Sequence, residues 1–109
     1  QPQAILDVLH ERYPDTALIL TLGEAGAYYR DGQQQLYQPA IAVQPVDTTA
    51  AGDTFTGYFL ALSGGDVAHA LRMAATAAAI AVTRPGAGAS IPTMAETVQF
   101  MAQQEDKAK

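Results

Sequence analysis

The chain has 109 residues, no cysteine, and a formal net charge of −5 from eleven acidic and six basic side chains. That length allows one compact domain with a modest core, and the lack of cysteine excludes disulfides, thiolate chemistry and Cys-ligated zinc. With so few cations a broad nucleic-acid surface is not expected, and a bound phosphate must be gripped locally by main-chain amides and one or two cations.

In chain order, Ala4, Ile5, Val8 and Leu9 recur at helical spacing, so Pro2 to Arg12 reads as an amphipathic helix ended by Tyr13-Pro14. Ala17 to Leu22 is a short apolar run closed by Gly23, with the look of a buried strand in a parallel sheet. Ala27 to Arg30 and Gln35 to Gln38 flank the turn dipeptide Asp31-Gly32 and are expected to pair as an antiparallel hairpin, its turn lengthened by glutamines. Tyr28, Tyr29 and Tyr37 then read as cross-strand packing. Ile41 to Val43 with Val46 fit one more short strand between Pro39 and Pro45.

Thr54 to Leu62 predicts a helix ended by Ser63-Gly64-Gly65, and Asp66 is expected to cap the next one. On that helix Val67, Ala70, Leu71, Ala74, Ala78 and Ala81 share a stripe whose small residues permit close approach. It ends near Thr83 to Gly86. A last helix from Met94 to Gln103 is expected to fray into the polar tail Gln104 to Lys109. The chain start has neither a basic nor an apolar signal region, so no signal peptide is expected. The most apolar stretch, Ala74 to Val82, falls short of the roughly 20 residues of a membrane span and reads as a buried helix. No membrane association is expected, and a cytoplasmic compartment is. His10 and His69 have no ligand partners at metal spacing and read as surface or boundary residues; Glu24 reads as a solvated loop carboxylate.

The most informative string is Val46-Asp47-Thr48-Thr49-Ala50-Ala51-Gly52-Asp53-Thr54-Phe55-Thr56-Gly57. Small residues at Ala50, Ala51 and Gly52 let a polyanion approach the main chain, and the following helix turns free N–H groups and its positive dipole end toward it. A carboxylate at Asp53 beside such a phosphate suits general-base activation of an alcohol. The same residues are also compatible with a plain helix start in which Asp53 or Thr54 caps.

Two other segments bear on chemistry. Thr21-Leu22-Gly23-Glu24-Ala25-Gly26 lies at a strand's carboxyl end, where open α/β sheets bind ligands, but lacks the P-loop and dinucleotide fingerprints and alone is compatible with a turn. Ala77 to Pro92 runs from a helix into a glycine-rich loop, where free helix-terminal carbonyls suit a hard cation, or Gly86 makes a plain cap.

Together these segments resemble the ribokinase or PfkB-type carbohydrate kinase family, whose second signature reads Asp-Thr-x-Ala-Ala-Gly-Asp-x-Phe. The resemblance implies a ribokinase-like layered α/β/α fold, of which residues 1–109 are the carboxyl-terminal third with the ATP-binding and catalytic-base region. It implies an ATP-dependent phosphotransferase acting on a sugar hydroxyl, with Asp53 as base and the amides of Ala51, Gly52 and Asp53 as anion hole. Thr21, Leu22, Gly23, Glu24, Ala25 and Gly26 would line the ATP site with Gly52 and Asp53, and magnesium would bridge the phosphates. Asp47, Thr49, Ala81, Arg84, Gly86 and Ser90 would hold an activating potassium ion. Ala75 stands where His or Asn often neighbours adenine, so a contact there must be apolar. The family's sugar-binding residues, dimer-forming lid and upstream Asn/Glu region have no counterpart here. The resemblance implies a homodimeric parent, and the isolated chain is expected to be inactive or nearly so. Other expectations compatible with the signature are a nucleoside or vitamin-precursor kinase of the same fold, and a non-catalytic nucleotide- or anion-binding module.

Overall fold

The computed structural model describes residues 2–62, 64–85 and 91–108, with side chains described to residue 103. Helix α1 spans Pro2–Arg12, the bounds its periodicity predicts, with His10 and Arg12 placed favourably at the negative end of its dipole. Leu6 is the buried residue of its apolar side, whereas Ile5 and Val8 remain exposed. A bond from the Tyr13 N–H to the Leu9 carbonyl, 2.8 Å, closes its last turn before Pro14.

Three strands follow: β1 (Leu18–Thr21), β2 (Ala27–Arg30) and β3 (Gln35–Gln38), in spatial order β1-β2-β3. Both pairings are antiparallel, with Leu20 opposite Tyr28 and Tyr28 opposite Tyr37. The parallel neighbour expected for β1 is thus absent among the described residues. A run of apolar residues encodes burial but not the direction of its partner, and the short connection to β2 permits only an antiparallel return. The hairpin has the predicted strands and Asp31-Gly32 lies in its turn, but no positive φ at Gly32 shapes it. The Asp31 carboxylate does so by accepting from the N–H groups of Gln33 and Gln34 at 2.7 and 2.9 Å. The same carboxylate accepts from the Tyr29 hydroxyl at 2.7 Å. Burial, then this bond and the charge of Asp31, push the Tyr29 hydroxyl up to about 12.

Alternation divides the sheet into two faces. Ile19, Ala27, Tyr29 and Leu36 turn toward the core helices, where the Tyr29 and Phe59 rings lie 6.0 Å apart. Tyr28, Arg30 and Tyr37 turn the other way, toward α1, and Arg30 pairs with Asp7 of that helix. The sheet is therefore sandwiched, α1 on one face and the later helices on the other.

No strand forms over Ile41 to Val46, contrary to the pattern. Pro39 and Pro45 break the stretch, and the Val46 N–H is directed to the Val82 carbonyl at 2.6 Å. Helix α2 covers Ala51–Leu62, so it begins three residues before the predicted Thr54. Helix α3, Val67–Val82, has the predicted extent and is buried on more than the expected stripe, Met73, Thr76 and Ala77 included. Its alanines let α2 pack on one flank and α4 on another. Asp66 occupies the cap position of α3 but makes no side-chain cap bond; its carbonyl accepts from Ala70 at 3.0 Å. Helix α4, Met94–Ala108, continues through most of the tail expected to fray.

Candidate functional site

The signature forms the loop before α2 and that helix's first turn. Asp47 Oδ1 accepts from the Thr49 N–H at 2.9 Å and also from the Thr49 hydroxyl, which folds Asp47-Thr48-Thr49 into a tight turn. The N–H groups of Val46 and Asp47 both donate to the Val82 carbonyl, at 2.6 and 3.0 Å, so the loop is clamped to the end of α3.

At the start of α2 the Ala51 N–H turns back to the Thr48 carbonyl at 3.3 Å, and the Thr54 N–H reaches Ala50 at 2.9 Å. Between them the Gly52 and Asp53 amides have no hydrogen-bond acceptor among the described residues. A Cβ at Gly52 would meet nothing within 4 Å among the described residues, so the surface beside this glycine is open. Asp53 stands in this first turn with its side chain exposed. The structure thus presents two free amides, a helix N-terminus and a solvent-facing carboxylate together. Ala51 differs from the other two in having its amide engaged. Thr54, by contrast, is 2% exposed and its hydroxyl has no partner among the described residues. Helix propensity and packing of Phe55 and Phe59 account for the helix; they do not require the Ala-Gly-Asp start.

Of the residues expected around a cation, Asp47 is brought to the end of α3 next to Ala81 by the Val82 clamp. Asp47 and Thr49 lie on the clamped loop. The Ala81 carbonyl, one residue before Val82, accepts from the Arg84 N–H at 3.2 Å. Oxygen donors of this kind, carboxylate and helix-terminal carbonyl, fit a hard monovalent cation in type. Gly86 and Ser90 lie outside the described residues. Among the described residues no group of three or more His, Cys, Asp or Glu side chains is placed to hold a metal.

The segment Thr21 to Gly26 leaves β1 through a short 3₁₀ turn, Gly23–Ala25, and closes on itself. Leu22 donates to Gly26 at 2.8 Å, Ala25 to Leu22 at 3.0 Å and Gly26 to Gly23 at 3.0 Å. Glu24 is exposed at its tip. This loop and the signature are joined through the core: Ala27, directly after Gly26, packs in the same cluster as Phe55, two residues after Asp53. Ala75 belongs to that cluster and is 8% exposed.

One device at this end of the molecule went unread in the sequence. Thr93-Met94-Ala95-Glu96 is a reciprocal capping box: the Glu96 N–H donates to Thr93 Oγ1 at 3.1 Å and the Thr93 N–H to Glu96 Oε1 at 2.9 Å. The Arg84 guanidinium donates to Glu96 Oε2 at 2.5 Å. Arg84 foremost, then the Thr93 amide, hold the Glu96 carboxyl at about 2, well below its usual 4.5. Tyr58 of α2 donates to the Pro92 carbonyl at 2.8 Å and accepts from Thr97 at 3.0 Å. The start of α4 is therefore fastened to both α3 and α2. The Thr-x-x-Glu spacing was the signal that could have shown this.

Comparison with known proteins places the chain in one family. The description "pfkB family carbohydrate kinase" matches residues 1–94. Ribokinase of Haemophilus influenzae is 42% identical over 97 residues, covering 86% of this chain and 31% of the relative. The structure of Arabidopsis thaliana ribokinase with ribose and ATP superposes with TM-score 0.73 and 35% identity, over 77% of this chain and 28% of that one. An Escherichia coli structure with ATP and Mg²⁺ superposes with TM-score 0.86 and 30% identity, over 94% of this chain and 34% of that one. The chain spans about a third of the length of the curated relatives it matches.

Proposed function

The chain belongs to the pfkB family of carbohydrate kinases, and from that membership we propose that it supplies the ATP-binding and catalytic-base portion, the carboxyl-terminal third, of an enzyme that phosphorylates a sugar hydroxyl. The observation that carries the reading is the pair of unengaged amides at Gly52 and Asp53 beside an exposed carboxylate at a helix N-terminus. In this reading Asp53 accepts the proton of the attacking hydroxyl. The Gly52 and Asp53 amides donate to the oxygens of the phosphoryl group as charge shifts among them. Ala51 joins them by releasing its 3.3 Å bond to Thr48. Thr21 to Gly26 contact the nucleotide, and Ala75 offers a methyl group to the base.

Magnesium bound to the phosphates and potassium in the Asp47, Thr49, Ala81, Arg84, Gly86 and Ser90 set would supply positive field to the same anion. For the second ion, Asp47 and the end of α3 offer oxygen donors already brought to one junction by the Val82 clamp. The sugar itself would be held chiefly by residues outside this chain, so the isolated chain is expected to bind nucleotide and to turn over little or nothing.

The test is Asp53→Asn in a full-length polypeptide carrying this sequence. Turnover falls by orders of magnitude while nucleotide affinity stays within about twofold. Retained turnover removes Asp53 from the role of base. In the 109-residue chain, amide shifts at Thr21 to Gly26 and at Ala50 to Asp53 on adding MgATP, and not AMP, test the two contact segments directly. A panel of ribose, deoxyribose and nucleosides then separates sugar from nucleoside kinase.

A further inference from the structure

The sheet's register brings one side chain from outside the site onto the loop Thr21 to Gly26. β2 begins at Ala27, immediately after the loop, and Ala27 pairs with Gln38. Tyr37, next to Gln38, is therefore carried beside the loop. Its hydroxyl donates to the Ala25 carbonyl at 2.8 Å. A Cβ at Gly26 would stand 3.0 Å from both Tyr37 Cε1 and its hydroxyl, so the ring lies directly against this glycine. On its other side the ring is buttressed by Tyr28, with centroids 4.7 Å apart at 40°.

The bonded carbonyl belongs to the Ala25–Gly26 peptide, whose N–H donates to Gly23 at 3.0 Å. A peptide flanked by glycine can turn over with little steric penalty, because glycine populates both signs of φ. Gly26 holds φ +93° and ψ −156°, and Gly23 holds φ +56°. Nothing in the glycines themselves selects this arrangement. The loop's three main-chain bonds and a phenol on an adjacent strand, which fixes the Ala25 carbonyl, together do so.

We propose that Tyr37 is a positioning residue for nucleotide binding: its hydroxyl fixes the Ala25–Gly26 peptide, and hence the shape of the loop, from the sheet face opposite the catalytic helix. This rests on the reading of Thr21 to Gly26 as nucleotide contacts. A tyrosine that is 51% exposed, and that alternation marks as simple cross-strand packing, thereby acquires a role in affinity.

The experiment uses Tyr37→Phe in the 109-residue chain, which keeps the ring and removes the hydroxyl, with Tyr28→Phe as control. Amide hydrogen exchange in the absence of nucleotide is measured at Leu22, Ala25 and Gly26, and MgATP affinity by titration of the amide spectrum. The expected result for Tyr37→Phe is exchange faster by about fivefold at these amides, the weight of one exposed hydrogen bond. MgATP affinity should weaken by a similar factor, with exchange in α3 unaltered and Tyr28→Phe like the unsubstituted chain. Unchanged loop exchange overturns the proposal, as does faster exchange with unchanged affinity. If the unsubstituted chain shows no MgATP shifts, the nucleotide reading of the loop fails first. The exchange comparison still reports whether Tyr37 orders it.

Discussion

Alanine substitution at the two loop glycines gives a paired test of the local backbone, because the same added methyl meets opposite surroundings. At Gly26, φ +93° and ψ −156° lie in a region held almost only by glycine, and a residue with a Cβ costs about 1–3 kcal/mol there. The added Cβ would also stand 2.5 Å from the Gln38 carbonyl oxygen, where ordinary contact begins at 3.4 Å. That oxygen is main chain in β3, so relief means parting the Ala27–Gln38 end of the hairpin. The sum is about 3 kcal/mol or more. At Gly23, φ is +56° and a Cβ would meet nothing within 4 Å. Only the left-handed penalty of about 1–2 kcal/mol applies, and the lower entropy of the unfolded chain offsets both substitutions alike and cancels between them. Gly26→Ala should therefore be about 2 kcal/mol less stable than Gly23→Ala, roughly a thirtyfold difference in folding constant. Urea unfolding at 25 °C followed by circular dichroism reads this from midpoint and slope. Equal stabilities, or a costlier Gly23→Ala, would refute the loop geometry.

Two further outcomes follow from the fastening of α4. Because the fold depresses the Glu96 carboxyl from 4.5 to about 2, its stabilising contribution is complete above pH 4.5 and disappears as pH falls toward 2. Glu96→Gln should narrow its difference in melting temperature from the unsubstituted chain across that window, and a constant offset would contradict the ion pair with Arg84. Tyr58→Phe deprives the Pro92 carbonyl and the buried Thr97 hydroxyl of a partner and should cost about 1–2 kcal/mol in urea unfolding; a loss within a few tenths would show that the contact does not hold α4.

Local signals carried a large part of this molecule. The i, i+3, i+4 recurrence in α1, the alanine-rich periodicity of α3 and the strands either side of Asp31 each mark an element at its observed position, since each rests on neighbours in sequence. What failed depended on distant partners. The run Leu18 to Thr21 specifies an apolar strand, but its direction relative to a neighbour is a property of topology. Ile41 to Val46 alternates acceptably, yet its N–H groups find the end of α3 instead of another strand. α2 starts at Ala51 because its first turn is secured by Thr48 and Ala50, which propensity alone does not weigh. At the site, the signature points to Ala51, Gly52 and Asp53 alike, whereas the engagement of the Ala51 amide is visible only in three dimensions. The hydroxyl of Tyr37 on Ala25 likewise requires the strand register.

The Val82 carbonyl accepts from two N–H groups of a loop more than thirty residues away in sequence. Helix ends usually open independently, as the least protected part of a fold. Here, releasing the last turn of α3 also frees Val46 and Asp47 and with them the loop that leads into α2, so fraying and loss of that loop's shape become one cooperative event. The amides of Val46 and Asp47 should accordingly share a single opening free energy with the final turn of α3, and the lifetime of the turn before α2 would be set by the end of a different helix.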